Sequence, residues 1–282
     1  MKTDPQTSPE SMEQTSVCSA LPRASRLKSA PRSDCSLIRR HWLKLLAGLL
    51  AAPLAMSIVF AQDQSPAGMP KEQGNFRSPD LVELIKLDPT IKLDIRYATK
   101  NNFLGRQVYP EARAFLQRPA AEALVRIHQA VQQKGYGLLV FDGYRPWAIT
   151  KIFWDATPAN KKNFVANPAK GSRHNRGCAV DLSLFDLKTG KEIEMPSAYD
   201  EMTERAYPTY KGGTAEQRKL RDLLRAAMEA EGFTVNEYEW WHFDYKDWRE
   251  YPILNISFDQ IKPQPHPKIR ERKPRVSPPS GT

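Results

Sequence analysis

From Thr214 to Gly232 the sequence TAEQRKLRDLLRAAMEAEG predicts an amphipathic helix that must lie against something apolar. Thr214 can cap its start, and Gln217 stands where the reciprocal half of a capping box belongs. Leu220, Leu223, Leu224, Ala227 and Met228 recur at helical spacing along one face, and Gly232 supplies the stop. The stretch directly after the glycine, FTVNEYEWWHFDY, is aromatic and β-prone. A helix therefore runs into an extended segment across a single glycine.

The same succession occurs earlier in the chain. Pro119 suits a first helical turn, Leu124, Ile127, His128 and Val131 share a face, and Gly135 ends the helix. YGLLVFDGYRPW then predicts an apolar strand that turns at Asp142 and Gly143. WAITKIFWDA predicts a short helix and CAVDLSLFD a strand. The alternation of Ile91, Leu93 and Ile95 against Asp94 and Arg96 predicts a further strand ending near Tyr97, with NNFLGRQVY turning into another short extended piece. No regular βαβ series emerges. The expectation is an α+β fold, a single domain with an antiparallel β-sheet and flanking helices. A 282-residue chain with 40% hydrophobic residues can bury such a core.

The two ends read differently from the middle. An apolar run from Leu43 to Phe60 follows Arg39 and Arg40 and closes on a small residue, which predicts an N-terminal extension and signal peptide over 1–61 with cleavage after Ala61. The competing reading is a retained membrane anchor, which needs roughly 20 apolar residues; Pro53 and several alanines weaken it. RRHWLK resembles a twin-arginine export signal but departs from it at Ile38 and Trp42, so the route stays open. Either route predicts an exported, periplasmic protein. Residues 62–80 have the composition of a flexible linker, 81–261 would form the catalytic domain, and 262–282 form a basic, proline-rich tail expected to be disordered. The formal charge of +10 gathers largely at these ends, as in Lys268 to Arg275. With no basic run interleaved with aromatics between them, no nucleic-acid partner is expected. Cys18 and Cys35 precede the expected cleavage site, leaving Cys178 with no disulfide partner and the role of a small buried residue.

The chemistry centres on GSRHNRGCAVDLSL, Gly171 to Leu184. Zinc held for catalysis takes three protein ligands and keeps a fourth position open. His174 and Asp181 are candidate ligands, with Gly177 turning the chain between them; the plainer alternative is a solvated loop histidine and a surface aspartate. The chain has only five histidines. His41 precedes the cleavage site, His128 belongs to a helix face, and His266 falls in the tail, which leaves His242 as third ligand. Glu239, three residues before it, could serve as general acid and base. On an ideal strand the two would point to opposite faces, so convergence requires a bend, or Glu239 on the turn before the strand. Arg145, just after the Asp142–Gly143 turn, could hold developing oxyanion charge, or merely form a surface salt bridge.

SRHNRGCAVD, EWWH and DGYRP together resemble the three motifs of the zinc-dependent D-alanyl-D-alanine dipeptidases, the VanX-like group with the Hedgehog/DD-peptidase-like zinc fold. IRYATKNNFLG and YDEMTERAY are also similar to that group, so the resemblance runs from about Leu93 to Tyr251. It implies one Zn2+ bound by His174, Asp181 and His242, Glu239 as general base and acid, and Arg145 steadying the tetrahedral intermediate. It further implies that Ser172 meets the substrate's C-terminal part and that Tyr97 and Asp200 hold its free amino group. The expected partner is a small D-amino-acid dipeptide, with no stable membrane span after signal cleavage and no oligomeric state specified. The alternatives are a D,D- or L,D-carboxypeptidase acting on peptidoglycan stem peptides and a non-catalytic, zinc-containing cell-wall binding module.

Overall fold

The structure is a computed structural model that describes residues 66–262. The expected leader over 1–61, its cleavage point, and the tail beyond Lys262 lie outside the described residues. In chain order the elements are β1 (Leu81–Glu83), α1 (Leu84–Leu87), β2 (Lys92–Leu93), β3 (Phe115–Gln117), α2 (Arg118–Gln132) and β4 (Tyr136–Asp142). After these come α3 (Trp147–Ala156), β5 (Ala179–Asp186), α4 (Ala215–Ala230), β6 (Phe233–Val235) and β7 (His242–Tyr245). Five strands form one sheet in the order β2-β4-β5-β7-β6, while β1 and β3 pair separately. The sheet is antiparallel except at β2, which runs parallel to β4.

Local signals explain the helices. Thr214 and Gln217 form the full capping box of α4. Its Leu220, Leu224 and Met228 are buried, Leu223 and Ala227 half-buried, and Arg221 is buried by donating to the Tyr210 carbonyl. In α2, Leu124, Ile127, His128 and Val131 are all buried. Each aliphatic side chain so placed contributes about 1.5–3 kcal/mol relative to exposure. The two helices pack on one another, α2 against β4 and α4 against β6. His128 is held by the Leu138 amide on Nδ1 and by Thr90 on Nε2, which accounts for a buried histidine outside any site.

Two expectations need correction. The strand through Tyr97 is only Lys92–Leu93, and Arg96–Ala98 form a 3-10 turn instead. Ile91 and Ile95 are buried as the alternation requires, but only two residues pair with β4 before the chain turns. The segment over 62–80, read as flexible, forms no helix or strand from 66 to 80, yet long-range partners bind it to the domain. Arg77 N–H donates to the Glu250 carbonyl, and Asp80 forms an ion pair with Arg118.

Candidate active site

Three adjacent strands lay the site out in a row. Their register sets Asp142 opposite Asp181 and Asp181 opposite His242, so the three side chains leave one face of the sheet. A bulge between Val140 and Asp142 brings Asp142 into that row. His174 arrives from a 3-10 turn, His174–Arg176, just before β5. Gly177 closes the turn at φ +68°, where a side chain is disfavoured, and a Cβ there would meet the Leu81 side chain at 2.4 Å.

His174 Nε2, Asp181 Oδ1 and His242 Nδ1 lie 3.0, 3.1 and 3.3 Å apart pairwise, and all three residues are buried. A tetrahedral ion bound at about 2.0–2.1 Å places its ligand atoms about 3.3 Å apart, so the spacing suits one. The outer ring nitrogens fix the tautomers. His174 Nδ1 donates to the Gly143 carbonyl at 2.7 Å, and His242 Nε2 to Asp244 at 3.0 Å. Each ring thereby turns its other nitrogen inward as a potential ligand. Gly143 can serve only as glycine, since a Cβ would lie 2.7 Å from the Phe115 carbonyl oxygen. Burial works against charge on His242, but the flanking Asp244 and Asp181 carboxylates raise its pKa well above the usual value. Burial likewise opposes ionisation of Asp181, yet the imidazoles of His174 and His242 hold it far below the usual carboxylate range. The cluster thus wants one positive charge at its centre, and a metal ion competes with a proton for that place.

Glu239 lies on the turn between β6 and β7, the placement that lets it converge with His242. Its Oε2 is 3.9 Å from His242 Nδ1. Burial, opposed by His242 and reinforced by the Asp181 and Asp200 charges, pushes its pKa up to about 8. Arg145 is buried, which removes the surface salt bridge as an account of it. Asp142 Oδ2 accepts from its Nε and Nη2 at 2.9 and 2.6 Å, and Phe153 packs 4.5 Å from the guanidinium. Burial disfavours the charge, but Asp142 and its neighbours hold Arg145 cationic.

The remaining expected residues also gather here. Ser172 Oγ accepts from His174 N–H at 3.2 Å. Tyr97 donates to Asp200, whose two carboxylate oxygens lie 3.0 and 2.9 Å from its hydroxyl. Asp200 is the single non-glycine with positive φ among the described residues, at +63°, a conformation that costs about 1–3 kcal/mol. Burial and the Asp181 charge push its carboxyl up to about 7. All eight residues line one cavity of about 440 Å3, whose apolar wall includes Phe103, Phe153, Phe164 and Val165. Cys178 is buried behind the site, and burial pushes its thiol up, which fits packing rather than nucleophilic work.

Sequence reasoning passed over the residues that orient these groups: Asp142 for Arg145, Asp244 for His242, and Tyr199, whose hydroxyl donates to Asp181 at 3.1 Å. A signal existed for Asp244, because a residue two along a strand from a ligand shares its face. None existed for Tyr199, which becomes a neighbour only in the fold.

A family profile described as D-ala-D-ala dipeptidase, Peptidase_M15, matches residues 77–261. The D-alanyl-D-alanine dipeptidase of Escherichia coli (strain K12) is 33% identical over 179 residues, 64% of this chain and 91% of the relative. Those of Enterococcus faecium and Enterococcus faecalis (strain ATCC 700802 / V583) are 35% and 37% identical, each over 60% of this chain and over 91% and 92% of their own lengths.

Proposed function

This chain belongs to the D-alanyl-D-alanine dipeptidase family, and on that premise we propose that it is a zinc metallopeptidase hydrolysing D-alanyl-D-alanine, or a related D-amino-acid dipeptide, to free amino acids in cell-wall peptide turnover. The observation that carries the reading is the meeting of two oriented imidazoles and a carboxylate, 3.0–3.3 Å apart, with a buried glutamate beside them. Two nitrogens and one oxygen suit zinc with an open fourth position, and the bound ion supplies polarisation of the scissile carbonyl and of the attacking water.

The chain's own residues do the rest. Glu239 takes the proton of the attacking water and passes it to the leaving amine. Arg145, fixed by Asp142, places a permanent charge where the carbonyl oxygen becomes negative, so no reorganisation is needed at the moment of reaction. Asp200 and Tyr97 receive the substrate's ammonium group, which draws the Asp200 carboxyl to its charged form, and the Ser172 hydroxyl meets the carboxylate end. A peptide acylated at its amino end would leave Asp200 without that partner in a buried position, which limits the substrate to a dipeptide. The leader-like residues 39–61 support action in the periplasm, testable by fractionating cells that make the full chain. The proposal is tested by alanine release from D-Ala-D-Ala and from its N-acylated stem-peptide counterpart. Cleavage of the free dipeptide is expected; efficient cleavage of the acylated peptide alone would make the protein a carboxypeptidase.

A further inference from the structure

The turn that carries His174 is gripped from a part of the chain lying before the family-matched segment, which begins at residue 77. Glu72 forms an ion pair with the Arg176 guanidinium, and its Oε2 also accepts from the Ile253 N–H at 2.6 Å. Arg176 is the last residue of the His174–Arg176 turn, is buried, and donates in addition to the Tyr251 carbonyl. A second route reaches the turn from Asp80, just inside the matched segment. Asp80 N–H donates to Gln117 Oε1 at 2.8 Å, and Gln117 Nε2 donates to the Arg176 carbonyl at 2.8 Å. Gln117 is fully buried, and its own N–H bonds to the Gly177 carbonyl at 2.8 Å. The end of the turn is thus held from this side: the Arg176 side chain by Glu72, and the Arg176 and Gly177 carbonyls by Gln117, which Asp80 holds in turn.

We propose that residues 72–80 act as a strap that holds the His174 turn in ligand geometry, with Glu72 as its positioning residue. The strap touches neither substrate nor reacting atoms. It acts on where His174 Nε2 sits relative to Asp181 and His242, which lie on the paired strands β5 and β7. Partners that orient metal ligands commonly set affinity by 10–100-fold, and Glu72 acts more remotely, through Arg176 two residues along the turn from His174, so an effect at the lower end, about tenfold, is expected. The inference rests on the metal reading above.

The test compares the full chain with its Glu72→Ala and Glu72→Gln variants, measuring the zinc dissociation constant by competition with a chromogenic chelator and the thermal midpoint of each metal-free protein. Arg225→Ala serves as control, because Arg225 pairs with Glu229 on the outer face of α4 and belongs to neither the strap nor the turn. Expected is zinc binding about tenfold weaker in Glu72→Ala, a smaller loss in Glu72→Gln, which keeps an acceptor for Ile253, and no change in Arg225→Ala. A merely structural role would lower the midpoint and leave the dissociation constant within twofold of the parent in both Glu72 variants; that outcome overturns the strap. Should Glu72→Ala fail to fold, the Glu72→Gln constant decides. Absence of zinc binding by the parent chain would instead overturn the metal reading itself.

Discussion

Replacing Glu239 by glutamine separates its proposed catalytic work from its effect on stability. The carboxyl is pushed up to about 8 in the metal-free fold, against an ordinary value of 4.5. At pH 7 the folded chain therefore keeps the proton while the unfolded chain has lost it. Ionisation favours the unfolded state by about 1.4 kcal/mol for each pH unit above its own pKa, or about 3 kcal/mol at pH 7. This group's contribution is fully present below pH 4.5 and declines as pH rises towards about 8. Glutamine has the same shape and no proton to lose. Metal-free Glu239→Gln is expected to be more stable than the parent at pH 7 by up to about 3 kcal/mol, and equal to it near pH 4, in urea unfolding followed by tryptophan fluorescence. Its zinc affinity should stay within a few-fold, because Glu239 is not a ligand. Hydrolysis should fall by about 10²–10⁴, the usual contribution of a general acid–base group, or about 3–5 kcal/mol of barrier. A variant less stable than the parent at pH 7, or one retaining activity within threefold, would refute the reasoning.

Asp244→Asn should weaken zinc binding by about 10–100-fold, since the amide no longer obliges His242 to turn Nδ1 inward, and a chelator competition assay reads this directly. Arg145→Lys loses the two-point contact with Asp142; kcat is expected to drop by about 10²–10³ with little change in zinc content, measured by steady-state kinetics and metal analysis. Asp200→Asn should raise KM for the free dipeptide and narrow the gap between free and N-acylated substrates. Gly143→Ala forces a Cβ against the Phe115 carbonyl and should cost about 1–3 kcal/mol in chemical unfolding.

Where the sequence carries local signals, the fold was legible. The capping box at Thr214, Pro119 in the first turn of α2 and the glycines after both helices act within a few residues, and the elements appear where they place them. Burial was legible too, but burial is not pairing. Ile91, Leu93 and Ile95 alternate as a strand would, yet after one last bond from the Asp94 N–H to the Val140 carbonyl the chain leaves β4 and turns to bury Tyr97 beside Asp200. The three residues of the candidate metal cluster could be picked out because histidines are few; the groups that orient them could not, because the Gly143 carbonyl and His174 lie 31 residues apart. The leading segment misled for the same reason. Its composition says linker, while Glu72 finds Arg176 across 104 residues, a relation no local pattern encodes.

The central claim is that His174, Asp181 and His242 hold one zinc ion with which Glu239 and Arg145 hydrolyse a free D-amino-acid dipeptide. Its most direct test is to strip the purified full chain of metal, add zinc stepwise, and follow alanine release from D-Ala-D-Ala together with bound metal. Expected is no release from the stripped protein and recovery that saturates at one zinc per chain, lost when His242→Ala is titrated in the same way. Full activity in the stripped protein, or recovery in the His242 variant equal to the parent's, would contradict it.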